Sequence, residues 1–251
     1  MSRVYKSAAL AGALLTAVAG AQAQSAPEDS LTYNVGAVTE YRYRGISQSG
    51  KKPAVQFGAD FVSKSGFYVG GWASTITWIR DSTKPSTTKG PLEVDIYGGY
   101  KGSISDSLSY DVGALQYWYT GNTLGKASGF ANANTLEVYG ALTSGIFTAK
   151  YSHSLTNLFG TVNSKGSTYL DLSATIDLGN GMSLVPHIGH QNIKKFTSYS
   201  DYGLTLAKDI DGLVLSAALI GTSKKNFFTL PGSGGKDLGG TTLVLGVKKN
   251  F

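Results

Sequence analysis

Arg42 and Arg44 stand two residues apart in the stretch EYRYRGISQ, with Glu40 two positions before them. On an extended strand, residues at i, i+2 and i+4 share one face, so the three form a single charged strip. Such a strip attracts anions or pairs with facing carboxylates. Asp60, Glu93, Asp95, Glu137 and Asp171 occupy the polar face of other alternating stretches, and Tyr97 and Tyr139 lie on the same faces as Asp95 and Glu137. Charges arranged on opposing walls build a transverse field that filters ions. That is recognition and selection, with no bond made or broken.

Bond-making chemistry finds no comparable arrangement. His153 sits between Ser152 and Ser154, with Asn157 nearby. A serine nucleophile needs its base within hydrogen-bond reach, but adjacent strand residues point to opposite faces. His187 and His190, three apart, also point apart, so they make no metal pair. The chain has no cysteine, hence neither disulfides nor thiolate metal sites. A Gly-rich phosphate loop is missing as well. No catalytic residue, metal site or cofactor is assigned.

The elements that carry the charged strips are strands. Arg3 and Lys6 precede an apolar run, Ala8 to Ala19, and an Ala21-Gln22-Ala23 cleavage site. This is the pattern of a secretory signal peptide over residues 1–23, with a mature single domain over residues 24–251. Loss of the two leader cations lowers the net charge from +6 to about +4, a mild excess that does not point to nucleic acid. Beyond the leader no apolar run approaches the ~18 residues of a transmembrane helix. Transmembrane β-strands need only about 9–11 residues with one apolar face. The 33 glycines and 15 tyrosines suit strands and turns.

Period-two patterning predicts twelve strands, at Leu31–Gln48, Ala54–Val62, Phe67–Trp78, Leu92–Lys101, Leu108–Thr120, Thr135–Thr143, Ile146–Ser154, Ser167–Asp177, Met182–Gln191, Tyr199–Lys208, Leu213–Thr222 and Thr241–Phe251. Faces are assignable in most of these, but not in the third. The connections alternate long and short from first to last. Bacterial outer-membrane barrels do this because their periplasmic turns are short and their extracellular loops long. The expectation is an all-β transmembrane antiparallel barrel of about 12 strands. Its apolar faces meet lipid, and no packed interior core is expected. On this reading Arg42 and Arg44 extend strand one into the lumen.

The last strand places Leu243, Leu245 and Val247 on one face and ends on Phe251. It resembles the signal by which outer-membrane barrels are recognised by the barrel-assembly machinery. Lys249 departs from that signal by lying on the apolar face, where it can snorkel to the interface. Tyr33, Tyr41, Tyr43, Tyr100, Tyr110, Trp118 and Tyr151 read as outward interfacial aromatics. Tyr97, Tyr117, Tyr119 and Tyr139 read as inward ones.

Several stretches resemble the TorF family of porins, proteobacterial outer-membrane barrels formerly catalogued as conserved hypothetical proteins. They are EYRYRGISQ, PAVQFG, SGFYVGGWAS, LEVDIYGGY, LEVYGAL and YLDLSA, with YSDYG and the terminal KKNF as weaker matches. The pattern departs after Tyr117–Tyr119, where a proline is expected and Thr120-Gly121 stand. The resemblance implies an outer-membrane pore without an established substrate. Residues and resemblance together predict a channel in the cell outer membrane for passive diffusion of small polar solutes or ions. Glu40, Arg42, Arg44, Asp60, Glu93, Asp95, Tyr97, Glu137, Tyr139 and Asp171 are its pore-lining candidates. The expected partners are outer-membrane lipid, the assembly machinery through Phe251, and the solutes, with no nucleic acid. The alternative is a non-conducting barrel with a structural, adhesive or surface-recognition role.

Overall fold

The structure, a computed structural model, describes residues 28–224 and 226–251. The predicted signal peptide and its cleavage near Gln24 lie outside them. Twelve strands form one closed antiparallel sheet. They are β1 Ser30–Val38, β2 Ala54–Val62, β3 Phe67–Thr75, β4 Leu92–Ser105, β5 Leu108–Tyr119 and β6 Thr135–Ser144. There follow β7 Phe147–Ser154, β8 Thr168–Ala174 (continued after Thr175 by Ile176–Gly179), β9 Met182–Asn192, β10 Tyr199–Ile210, β11 Leu213–Thr222 and β12 Thr242–Asn250. Each strand pairs with its sequence neighbour, and β12 returns to β1 in the register Asn34↔Asn250 to Val38↔Gly246. Closure leaves no edge strand with unpaired backbone, as lipid requires.

The connections alternate as the sequence predicts. Short turns link β2–β3, β4–β5, β6–β7, β8–β9 and β10–β11 at one end, which also holds both ends of the sheet and which the loop-length rule of bacterial barrels assigns to the periplasm. Six longer extracellular loops close the other end: L1 (39–53), L2 (76–91), L3 (120–134), L4 (155–167), L5 (193–198) and L6 (223–241).

The outer face is apolar. Leu31, Phe57, Val69, Ile96, Leu172, Leu204, Leu215 and Leu245 all lie exposed on it. A belt this continuous is far larger than a water-soluble surface carries and matches the lipid-facing band of a barrel. The faces of β3, left open by the sequence, follow the same alternation. Phe67 and Val69 are exposed, whereas Trp72 and Ser74 are buried. At the last strand Lys249 sits on the outer face, and its Nζ donates to the Asp211 carbonyl in a periplasmic turn at 2.8 Å. The lysine thus turns to the membrane edge.

Two expectations fail for one reason. Strand β1 stops at Val38, not near Gln48. Beyond it Arg44 and Gly45 adopt positive φ, +45° and +78°, and the chain folds into a two-rung ribbon, Arg42–Tyr43 with Ile46–Ser47. The period-two count therefore does not run through Tyr41 and Tyr43. Neither joins the outward aromatics. Tyr41 is fully buried, and Tyr43 packs edge-on against Tyr117 and Phe159. The second failure is the expected absence of a packed interior core. L1 and L2 bring Tyr41, Ile76 and Ile79 onto the inward side chains Trp72, Tyr117, Tyr119 and Val244. A packed apolar cluster thus lies inside the loop end of the barrel. The single-turn helix α1, Trp78–Asp81 in L2, supplies its fully buried Ile79.

Candidate functional site: the lumen and its extracellular mouth

The predicted wall residues follow the alternation of their strands. Glu93, Asp95 and Tyr97 on β4, Glu137 and Tyr139 on β6, Asp60 on β2 and Asp171 on β8 lie on the faces opposite the exposed apolar ones. Inward tyrosines and carboxylates are joined. Tyr97 Oη donates to Asp60 Oδ1 at 2.5 Å. Tyr68 Oη donates to Asp111 Oδ1 at 2.6 Å and shares a hydrogen bond with the Tyr139 hydroxyl. Lys150 Nζ stands 3.9 Å from the centre of the Tyr139 ring, a cation–π contact.

Glu40, Arg42 and Arg44 are inside the barrel, but L1 carries them rather than a wall strand. Arg42 pairs with Glu40 at 3.0 Å and donates through Nη1 to the carbonyls of Gly45 and Gly240, each at 2.8 Å. This shapes the ribbon and ties L1 to L6. Arg44 reaches across to the wall. Its Nη1 donates to Glu137 Oε1 at 3.1 Å and to Gln191 Oε1 at 2.6 Å, and Nη2 donates to Glu137 Oε2 at 2.7 Å. The guanidinium carbon lies 4.2 Å from the Tyr169 ring centre and 4.8 Å from that of Tyr43. Burial is the largest single influence and opposes its charge, but the Glu137 carboxylate together with the Tyr43 and Tyr117 hydroxyls outweighs it and raises the pKa, so Arg44 stays ionised. The planar fork of arginine suits this bidentate, stacked site.

The seat needs a glycine. A Cβ on Gly45 would lie 2.6 Å from Thr222 Cγ2, 2.7 Å from Asp201 Cβ and 2.8 Å from the Gly221 carbonyl. Only a residue without a side chain brings the loop backbone this close to β10 and β11 at positive φ.

The acids divide into paired and unpaired sets. Glu137 is neutralised by Arg44, and Asp171 and Asp201 flank His187, at 2.7 Å from Nδ1 and 3.1 Å from Nε2. Among the described residues no base forms an ion pair with Glu93 or Asp95. Tyr41 Oη donates to Glu93 at 2.8 Å, and Asp95 Oδ1 has no hydrogen-bond partner. The loop end of the lumen thus carries an acidic strip on β4 and, on β6, a carboxylate neutralised by Arg44.

Sequence reasoning missed His187, Gln191 and Asp201 on β9 and β10. Their signal was the period-two count, which places Gln191 with His187 and Asp201 with Tyr199. His187 was weighed only as a partner of His190, which indeed points to the other side and contacts Ser200. Ser152 and Ser154 are buried on the face opposite to His153.

Beside Arg44 opens a cavity of about 320 Å³, lined by rings from all six loops and by inward wall residues, among them Tyr43, Trp78, Tyr119, Phe159, Tyr199 and Phe228.

A model of a family described as a bacterial protein of unknown function (Gcw_chp) matches residues 21–251. The chain belongs to the Gcw_chp family. No curated protein matches it. Among solved structures it is similar to the KdgM porin in complex with disordered oligogalacturonate, with a TM-score of 0.56 and 8% identity, covering 88% of this chain and 98% of that one. It is also similar to the NanC porin, with a TM-score of 0.51 and 9% identity over 88% and 99% of the two chains. At such identities the likeness is one of fold, a closed twelve-stranded porin barrel.

Proposed function

We propose that this Gcw_chp-family protein is an outer-membrane channel for passive diffusion of small polar or ionic solutes, with luminal charges setting which pass. One observation carries the reading: a closed barrel with an apolar outer belt encloses an inner wall of charged and hydrogen-bonding side chains. A merely structural barrel has no need of acids such as Glu93 and Asp95, buried and without ion-pair partners among the described residues. The pore-lining residues are Glu40, Arg42 and Arg44 on L1 with Asp60, Glu93, Asp95, Tyr97, Glu137, Tyr139 and Asp171 on the wall. The TorF-family resemblance of the sequence, the signal-peptide pattern of residues 1–23 and the fold shared with porins support an outer-membrane address. The terminal Phe251 is the handle for the assembly machinery. Among the described residues the lumen holds no catalytic arrangement, and the oligogalacturonate in the KdgM complex shows that a barrel of this fold can hold a polar anionic solute.

We further propose a second state, in which L1 is lifted. L1 is pinned to the wall by Arg44, and its Tyr41 packs into the apolar cluster. In this arrangement L1 is the constriction, and its release widens the path. Twelve strands lie between eight, which side chains fill, and sixteen, which leave an aqueous channel, so one inserted loop decides conduction. Single-channel recording of the refolded mature protein in a planar bilayer tests the proposal. Discrete conductance steps are expected. A folded, heat-modifiable barrel that yields no steps under any voltage overturns the channel and leaves the non-conducting alternative.

A further inference from the structure

The charges of this barrel are sorted along its axis. Among the described residues the six extracellular loops hold thirteen lysines and arginines and only three acids, Glu40, Asp81 and Asp237. At the opposite end the short turns and the two ends of the sheet carry Lys64 against Glu28, Asp29, Asp106 and Asp211. The extracellular face is therefore a strongly basic surface on a chain whose overall charge is modest. In its middle lies the ring-lined cavity of about 320 Å³, at the lower end of the ~300–1,000 Å³ of small-molecule sites. Two of the loops that wall it, L5 and L6, bring Phe196, Phe227 and Phe228. The same short segments carry Lys194, Lys195, Lys224 and Lys236, and Lys224 Nζ lies 5.9 Å from the Phe227 ring centre. At the base, Arg44 and Gln191 present polar groups that are both buried.

We infer that the extracellular mouth is a binding site for small aromatic anions, of the aryl carboxylate class. The inference rests on the channel reading for its orientation and names the solute class that the channel takes up. The ring surfaces supply apolar contact and offset or edge-on stacking. A neutral aromatic gains only this. A carboxylate on the ring gains in addition from Lys194, Lys195, Lys224 and Lys236 on the loops that wall the cavity, none of which, unlike Arg44, forms an ion pair among the described residues. A sugar is a poorer fit, because the lining offers few polar partners for several hydroxyls, and a buried hydroxyl without a partner is costly. A cationic ring meets like charge. Clustered charge of one sign at an opening also raises the local concentration of the opposite ion.

The test uses the refolded mature protein in zwitterionic detergent, titrated with benzoate, benzyl alcohol and benzylamine, and read by tryptophan fluorescence, since Trp78 lines the cavity. Saturable benzoate binding is expected, about tenfold tighter than that of benzyl alcohol or benzylamine. It should weaken several-fold as salt rises from about 0.05 to 0.5 M, because salt screens exposed charges. Phe227→Ala, at a half-exposed ring, should weaken benzoate and benzyl alcohol alike. The double substitution Lys195→Gln with Lys224→Gln should weaken benzoate and leave benzyl alcohol unchanged. Heat-modifiability on gels confirms that each variant is folded. Equal affinity for benzoate and benzyl alcohol overturns the inference, as does benzoate binding that neither variant alters or that never saturates. Bilayer recording of the same sample separates the two readings. Conductance steps without benzoate binding sink this inference alone, and benzoate binding without steps sinks the channel alone.

Discussion

The Arg44–Glu137 bridge is the sharpest place to test how the mouth is held. Arg44 is the only side chain of L1 that makes a bidentate ion pair with the barrel wall among the described residues, at 2.7 and 3.1 Å, and it bonds Gln191 from the same nitrogen. Truncating one member of a buried, hydrogen-bonded ion pair costs about 3–5 kcal/mol, because the partner is left charged and desolvated. Here that penalty has a local outlet: if L1 lifts, water reaches Glu137. Arg44→Ala is therefore expected to shift the balance between seated and lifted L1 by about 3 kcal/mol, roughly a hundredfold, while the barrel stays folded. In planar bilayers the variant should show larger and more persistent conductance steps. Its reversal potential in a salt gradient should move towards cations, because Glu137 joins Glu93 and Asp95 as an unopposed carboxylate. Glu137→Gln leaves Arg44 unopposed and should move selectivity towards anions. The double variant Arg44→Ala with Glu137→Ala should lift the loop with little change in selectivity. Unchanged step size and unchanged reversal potential in a folded Arg44→Ala protein would refute both the loop seat and its place in the conduction path.

Other consequences follow from single positions. Gly45→Ala combines a positive φ, which costs a residue with a side chain of order 1 kcal/mol or more, with a Cβ pressed against the Gly221 carbonyl. It should release L1 much as Arg44→Ala does but with a smaller change in ion selectivity, because Arg44 stays on the loop at the mouth, and proteolysis of L1 in the folded barrel reads the release directly. Leu245→Arg places a charge on the outer belt midway along β12 and should cost about 2–4 kcal/mol of folding stability in lipid. Urea titration in vesicles measures the loss, and no loss would contradict the lipid-facing assignment. Deletion of Phe251 removes an exposed ring whose backbone pairs with Tyr33 at 2.9 and 3.3 Å. It is expected to lower the amount of barrel reaching the outer membrane in cells far more than the stability of protein refolded in detergent. Equal amounts in cells would remove Phe251 from the assembly signal.

What the sequence determined by itself is whatever depends on local alternation. Period two separates Phe57 from Asp60 and Leu170 from Asp171, because lipid and lumen impose opposite chemistry on the two sides of a strand. Loop lengths sorted the long connections to one end and the short turns to the other, and twelve strands followed from the count. Alternation also contained His187, Gln191 and Asp201, which needed only a reading of two further strands. What the tertiary structure alone decided is how L1 folds. Once the chain leaves β1 at Val38 and turns at Arg44 and Gly45, the periodicity of a strand carries no information about where a side chain points. Tyr41 and Tyr43, patterned like interfacial aromatics, become interior rings. Arg44 meets Glu137, ninety-three residues away, through a contact that no local rule encodes. The aromatic cavity is of the same kind, since its rings come from distant loops, each with one or two, and become a site only when the closed sheet sets their ends in a circle.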